Sequence, residues 1–181
     1  MSLHSHTEED IDIVTYVREG ALIIQDHSGE LGRIKAGEFQ RTSASRDRRQ
    51  RVINGSVLNP TQVFQSCITP DGNGFEPGTE QKRFPVADRK GVLRLVASPD
   101  GRNGSLRIHQ DVQMYSSILP VGHHQVHELS QGRAAWLHVV KGRVALGDHF
   151  LGTGDAAGLE DERAVSFTAV VPCEILLFSL E

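Results

Sequence analysis

A chain of 181 residues is long enough for one large domain or two small ones, each with its own core. The composition, 38% hydrophobic and 23% charged, is ordinary for a globular protein, and a formal net charge of -4 gives no overall pull toward nucleic acid or membranes. No apolar run approaches the roughly 20 residues that span a bilayer, no secretory signal is visible, and the lone thiols Cys67 and Cys173 lack CxxC or CxH spacing. These features argue against a disulfide framework or a cysteine zinc site, and they place the chain in the cytoplasm.

The first element, "HSHTEEDIDIVTYVREG" (residues 4–20), sets two histidines one residue apart ahead of four acids and an apolar run that ends at glycine. Residues i and i+2 on a strand face the same way, so such a pair is a candidate metal-binding strand. A hairpin follows, with His27 in its turn, and "IKAGEF" starts another strand. Next comes "SASRDRRQRVIN". Together with Arg41 just before it, its Arg46, Arg48, Arg49 and Arg51 stand with Asp47 as the only nearby acid. Guanidinium groups bind carboxylate and phosphate well, so this stretch reads either as a solvated rim or as a surface for an anionic ligand.

Residues 69–91 are polar and hold three of the seven prolines, which reads as a long connection. A boundary near residue 95 divides the chain into 1–95 and 96–181. Beyond it, "GVLRLVAS", "GSLRIHQDVQMY" and "RAVSFTAVV" alternate with period two, the pattern of strands with one buried face. Eighteen glycines in turn-like contexts break the chain into short segments. Many short strands with frequent turns predict an all-β sandwich or barrel. There is an internal echo: "TYVREGALII" followed by "IKAGEF" parallels "LHVVKGRVAL" followed by "LGTGDA", as two β units in tandem would. "GHHQVHE" offers His123, His124, His127 and Glu128, read as an exposed strand or loop; His138 reads as a core or rim histidine, and His109 as a maker of structural hydrogen bonds. No Ser/His/Asp order, P-loop or GxGxxG pattern supports a nucleophilic or nucleotide-dependent enzyme.

The stretch "VASPDGRNGSLRIHQDVQMY" (residues 96–115) closely resembles the inter-domain segment of the pirin family, in particular its bacterial members. "TYVREG", "QDHSG", "AGEFQRTSA", "FEPGTEQKRF", "WLHVVKG" and "EILLFSL" match in order, so the resemblance spans nearly the whole chain. It implies two cupin barrels in tandem, a first barrel holding one Fe-type metal through three histidines and a glutamate, and a second barrel without metal. It also implies a quercetin 2,3-dioxygenase type of activity in some bacterial members and a transcription-cofactor role in nuclear ones. Family chains carry several dozen residues ahead of the first metal motif, so either the start is truncated here or the first barrel is incomplete. An incomplete barrel would expose strand edges, and a homodimer through the N-terminal half is expected on that ground.

Carried over residue by residue, the family's first two histidines fall on His6 and Glu8 when anchored on "TYV", or on His4 and His6 after a slip of two. Anchored on "GEFQ", the third histidine falls on Gln50 and the glutamate on Val52, while Asn54 keeps its family identity. Gln50 is a weak neutral ligand and Val52 is none. The expectation is therefore a degenerate N-terminal metal site, with no cofactor, and a binding or regulatory role toward a small anion, through Arg46, Arg48, Arg49 and Arg51, or toward a protein. Neither nucleic acid nor a membrane is an expected partner. The alternative is a metal-dependent dioxygenase using Fe or another first-row divalent metal on His4, His6 or Glu8, with Glu8 as the carboxylate that takes the substrate's hydroxyl proton.

Overall fold

The computed structural model of the protein describes residues 2–5, 11–25, 29, 31–44, 50–70 and 78–181. The period-two pattern translates into strands throughout, and the described helical pieces are a four-residue helix and one 3-10 turn. The chain forms two compact units, and each is built from two separate segments. Met1–Phe84 with Leu106–Gln110 make the first unit, and Pro85–Ser105 with Asp111–Glu181 make the second. Relative to a division at residue 95, residues 85–95 go to the second unit, and the segment carrying His109 returns to the first.

In the first unit β1 (Ser2–Ser5), β2 (Ile11–Glu19), β3 (Ala21–Gln25), β4 (Leu31–Lys35), β5 (Glu38–Ala44), β6 (Gln50–Asn54), β7 (Gln62–Ile68) and β8 (Gly78–Arg83) form two four-stranded sheets. Their orders are β1-β6-β3-β4 and β7-β2-β5-β8. Val17, Leu22, Ile24, Ile34 and Val52 are buried together, with Val63 packed against them. Tyr16 stacks on Phe39 at 4.2 Å, and Phe84 meets Phe39 edge-on at 5.4 Å.

The second unit begins with α1 (Val86–Arg89) and β9 (Arg94–Ser98). After β10 (Leu106–Arg107) has returned to the first unit, the chain continues with β11 (Val112–Leu119), β12 (His124–Glu128), β13 (Ala134–Lys141), β14 (Arg143–Leu146), β15 (His149–Gly152), β16 (Ala156–Leu159), β17 (Ala164–Ala169) and β18 (Cys173–Leu180). One sheet runs β9-β11-β18-β13-β16 and the other β12-β17-β14-β15. Leu137, Val139, Val144, Val165, Phe167, Ile175 and Leu177 form the core between them.

The internal echo is a structural duplication. β2 pairs with β5 and β7 as β13 pairs with β16 and β18, and both ladders slip at the same place, between Val17 and Glu19 and between Val139 and Lys141. The glycine after each slip has positive φ, +80° at Gly20 and +95° at Gly142. A Cβ on Gly20 would stand 2.4 Å from Thr61 Oγ1, and one on Gly142 would stand 2.4 Å from the Pro172 carbonyl oxygen, so both bends require glycine. The Gly37 N–H donates to Val17 at 2.9 Å and the Gly154 N–H to Val139 at 2.8 Å. The Lys35 N–H donates to the Glu38 carboxylate at 2.7 Å, and the Gly152 N–H to that of Asp155 at 2.8 Å.

Candidate functional site

Two of the family's ligand positions, carried over to this chain, fall on β6, at Gln50 and Val52. In its ladder with β1, His4 stands opposite Arg51, while Ser5 stands opposite Gln50 and Leu3 opposite Val52. On the other side of β6, Val52 stands opposite Ile24 and Arg51 opposite Gln25. Alternate rungs belong to opposite faces of a sheet, so this register sets His4 one rung out of step with positions 50 and 52. Arg51 is exposed and Val52 is buried in the aliphatic cluster of Val17, Leu22, Ile24 and Ile34. His6, Glu8, Arg46, Arg48 and Arg49 lie outside the described residues, as does His27.

A divalent ion beside Val52 would surrender its hydration to methyl groups that offer no lone pair, which is strongly unfavourable. Val52 therefore offers the family's metal no ligand at the position of the glutamate, and among the described residues no group of three or more His, Cys, Asp or Glu is placed to hold a metal. The arginine-rich stretch divides. Arg41 is half-buried and committed internally, its Nη1 donating to Ser43 Oγ at 2.5 Å and to the Gly78 carbonyl at 3.2 Å. Arg51 remains exposed on β6.

The sequence reading missed Asp12, which is fully buried on β2. Its carboxylate accepts the Ser43 hydroxyl at 2.5 Å and the His109 backbone N–H at 2.6 Å, and His109 Nδ1 lies 3.0 Å away. Its signal was a lone acid inside an apolar alternation, "IDIVTYV", where an unpartnered charge would not persist. His109 thus makes the structural hydrogen bonds expected of it. Nearby the Arg107 N–H donates to Glu80 at 2.9 Å. Burial raises the Glu80 pKa, but Lys82 and that N–H outweigh it and hold it below the ordinary value.

In the second unit the histidine-rich segment forms β12, with His124 and Glu128 exposed and His127 half-buried. His127 contacts the ring of Tyr115 at 4.7 Å. Burial, with Arg133 adding to it, holds its pKa below the ordinary imidazole value. Burial also lowers the pKa of His138, the rim histidine on β13. Arg133 itself is tied to Asp111 and Ser179. A cavity of about 700 Å³ opens beside it, lined by both signs of charge, including Arg133, Glu160, Asp161 and Arg163. Cys173 is buried and its thiol is pushed up to about 11, by desolvation first and Glu174 second, so it is inert.

Against known families, residues 1–66 match the model described as Pirin, and residues 95–180 match the model described as quercetinase C-terminal cupin domain. The chain is 38% identical over 176 residues to the quercetin 2,3-dioxygenase of Escherichia coli K12, covering 97% of this chain and 75% of that protein. This chain belongs to the pirin family. Bacterial pirin YhhW from Escherichia coli in complex with nickel(II) superposes with a TM-score of 0.88 at 37% identity, covering 99% of this chain and 75% of that one. Another crystal structure of YhhW gives a TM-score of 0.89 at 36% identity, over 100% of this chain and 75% of that one. The two units are thus the tandem cupin barrels of a pirin-like bicupin. No helix of the described residues is long and apolar enough to cross a membrane.

Proposed function

We propose that this pirin-family bicupin has a degenerate N-terminal metal centre and works by binding, with a small anion or a protein as its ligand. The supporting observation is Val52: the position that carries the family glutamate holds an aliphatic side chain packed into an aliphatic cluster. The anion reading adds the cationic stretch at Arg46, Arg48, Arg49 and Arg51, where guanidinium groups suit carboxylate or phosphate. Elemental analysis of protein purified without a tag or chelator tests the metal reading. Well under a tenth of an equivalent of Fe, Ni, Cu, Mn and Zn is expected, and calorimetric titration with Ni(II) or Fe(II) is expected to give no saturable heat. The anion reading is tested by inorganic phosphate and citrate titrations followed by NMR shifts. R48E/R49E should abolish any saturable shift, and an unchanged response would remove the arginines from the proposal.

A second reading is favoured by the names of the relatives, one a quercetin 2,3-dioxygenase and one a nickel complex. In it, a first-row metal held by His4, His6 or Glu8 and a ligand not yet identified would act as Lewis acid toward a flavonol, with Glu8 placed to take its hydroxyl proton. Near one equivalent of metal, with oxygen consumption on quercetin that Glu8→Ala abolishes, would establish this reading and overturn the first.

A further inference from the structure

The second unit is a cup, closed at one end and open at the other. Strand register shows which side chains point into it. Between β11 and β18, Gln113 stands opposite Ser179, Tyr115 opposite Leu177, Ser117 opposite Ile175 and Leu119 opposite Cys173; between β12 and β17, His127 stands opposite Val165. Val165, Ile175 and Leu177 are core residues, so their rung partners face the interior as well. At the end where β11 finishes, Leu119, Ala169 and Cys173 are buried. At the end where it begins, the inward-facing Gln113, Tyr115 and His127 are only half-buried. An open barrel mouth is a common place for a small-molecule site.

This mouth combines aromatic faces with hydrogen-bond donors. Tyr115 and His127 meet across the two sheets, with ring centroids 4.7 Å apart and planes tilted by 59°. The Tyr115 hydroxyl donates to Gln113 Oε1 at 2.6 Å, and the Gln113 amide nitrogen is left to donate. Burial raises the Tyr115 pKa, while Arg102, which hydrogen-bonds to the phenol, and Arg133 act against the rise. Both guanidinium groups thus favour negative charge at the mouth. Arg133 is already committed, to Asp111 at 2.9 Å and Ser179 at 2.8 Å. Arg102 is held more loosely, because its Asp100 contacts of 3.4 and 3.5 Å join two exposed side chains. The acids Glu160, Asp161 and Glu162 of the neighbouring cavity belong to the β16–β17 connection, and β18 and β13 stand between β11 and β16 in the sheet.

We infer that this mouth binds a small aromatic carboxylate, with its ring against Tyr115 and His127 and its carboxylate on Arg102 and the Gln113 amide. A guanidinium matches a carboxylate in charge and in fork geometry, and a flat π-face suits an aromatic pair. The site lies wholly within the second unit. It uses none of the first barrel's ligand positions or arginines, so it stands or falls apart from the proposed function.

Titration of the full chain with benzoate at pH 7.5, followed through amide and imidazole NMR shifts, tests it. Saturable shifts are expected at Arg102, Gln113, Tyr115 and His127. Benzamide keeps the ring without the charge, and cyclohexanecarboxylate keeps the charge without the π-face; each should bind more weakly, benzamide by about tenfold or more. Arg102 is exposed, so Arg102→Gln should leave circular dichroism unchanged while weakening benzoate by about tenfold or more. R48E/R49E should bind benzoate as the wild type does. The absence of a saturable shift, or shifts confined to the first unit, overturns the inference. So does an affinity that benzamide, cyclohexanecarboxylate or the Arg102→Gln protein matches, or one that R48E/R49E abolishes.

Discussion

Val52 is the residue on which the metal question turns, and it can be made to answer in both directions. Val52→Glu restores a carboxylate at the family position, but places it among Val17, Leu22, Ile24 and Ile34. Burying a carboxyl group there without a partner should cost about 3 kcal/mol or more, read as a large fall in urea midpoint. Added Ni(II) should leave that midpoint where it is; recovery of stability by the metal would mean that the barrel still assembles ligands around position 52. His127 and His138 carry a second expectation at this scale. Their folded pKa values lie below the ordinary 6.5, chiefly through burial, so the unfolded chain binds protons more readily. Their contribution is complete above pH 6.5 and is lost as pH falls below it, so stability should decline from pH 7.5 to 5.5. His127→Gln should flatten that slope, and an identical slope would assign the acid sensitivity to other groups.

At the scale of elements, the strands follow from alternation and the bends from glycine. Gly142→Ala combines positive φ with a Cβ driven onto the Pro172 carbonyl, whereas at Gly147, with φ +56°, an added methyl group would meet nothing within 4 Å. Gly142→Ala should cost roughly 2–4 kcal/mol and Gly147→Ala about 1 kcal/mol, so the thermal midpoints of the two variants separate clash from backbone preference. Helix α1, at four residues, has no independent stability and is held from outside itself. Its Arg89 donates to Ser116 at 3.0 Å and to Glu174 at 2.8 Å, both ends of the ion pair being buried. Arg89→Met should cost about 3–5 kcal/mol by stranding Glu174, and the double variant R89M/E174L should recover most of it. The alternating strands and the paired Val-x-x-Gly hairpins were legible in the sequence, because each is a local pattern. The Arg89–Glu174 pair was not, because it depends on which distant strands become neighbours.

Asp12 shows the same division at the scale of the whole molecule. A cut near residue 95 treats the chain as two consecutive pieces, but Leu106–Gln110 belongs to the first unit. What draws it there is a buried carboxylate: among the described residues Ser43 supplies one hydrogen bond, and the His109 main chain and ring supply others. A fragment ending at residue 95 would keep Asp12 and lose His109, leaving a desolvated charge near the start of β2, so fragment 1–95 should fail to fold cooperatively. In the intact chain the same dependence is readable without truncation. Asp12→Ala should speed amide exchange at residues 106–110 and in β2, β5 and β7 by tenfold or more, while β11, β13 and β18 keep their protection, because the second unit has its own core. If exchange instead rises equally in both units, the two barrels unfold as one cooperative body, and Asp12 stabilises the molecule as a whole.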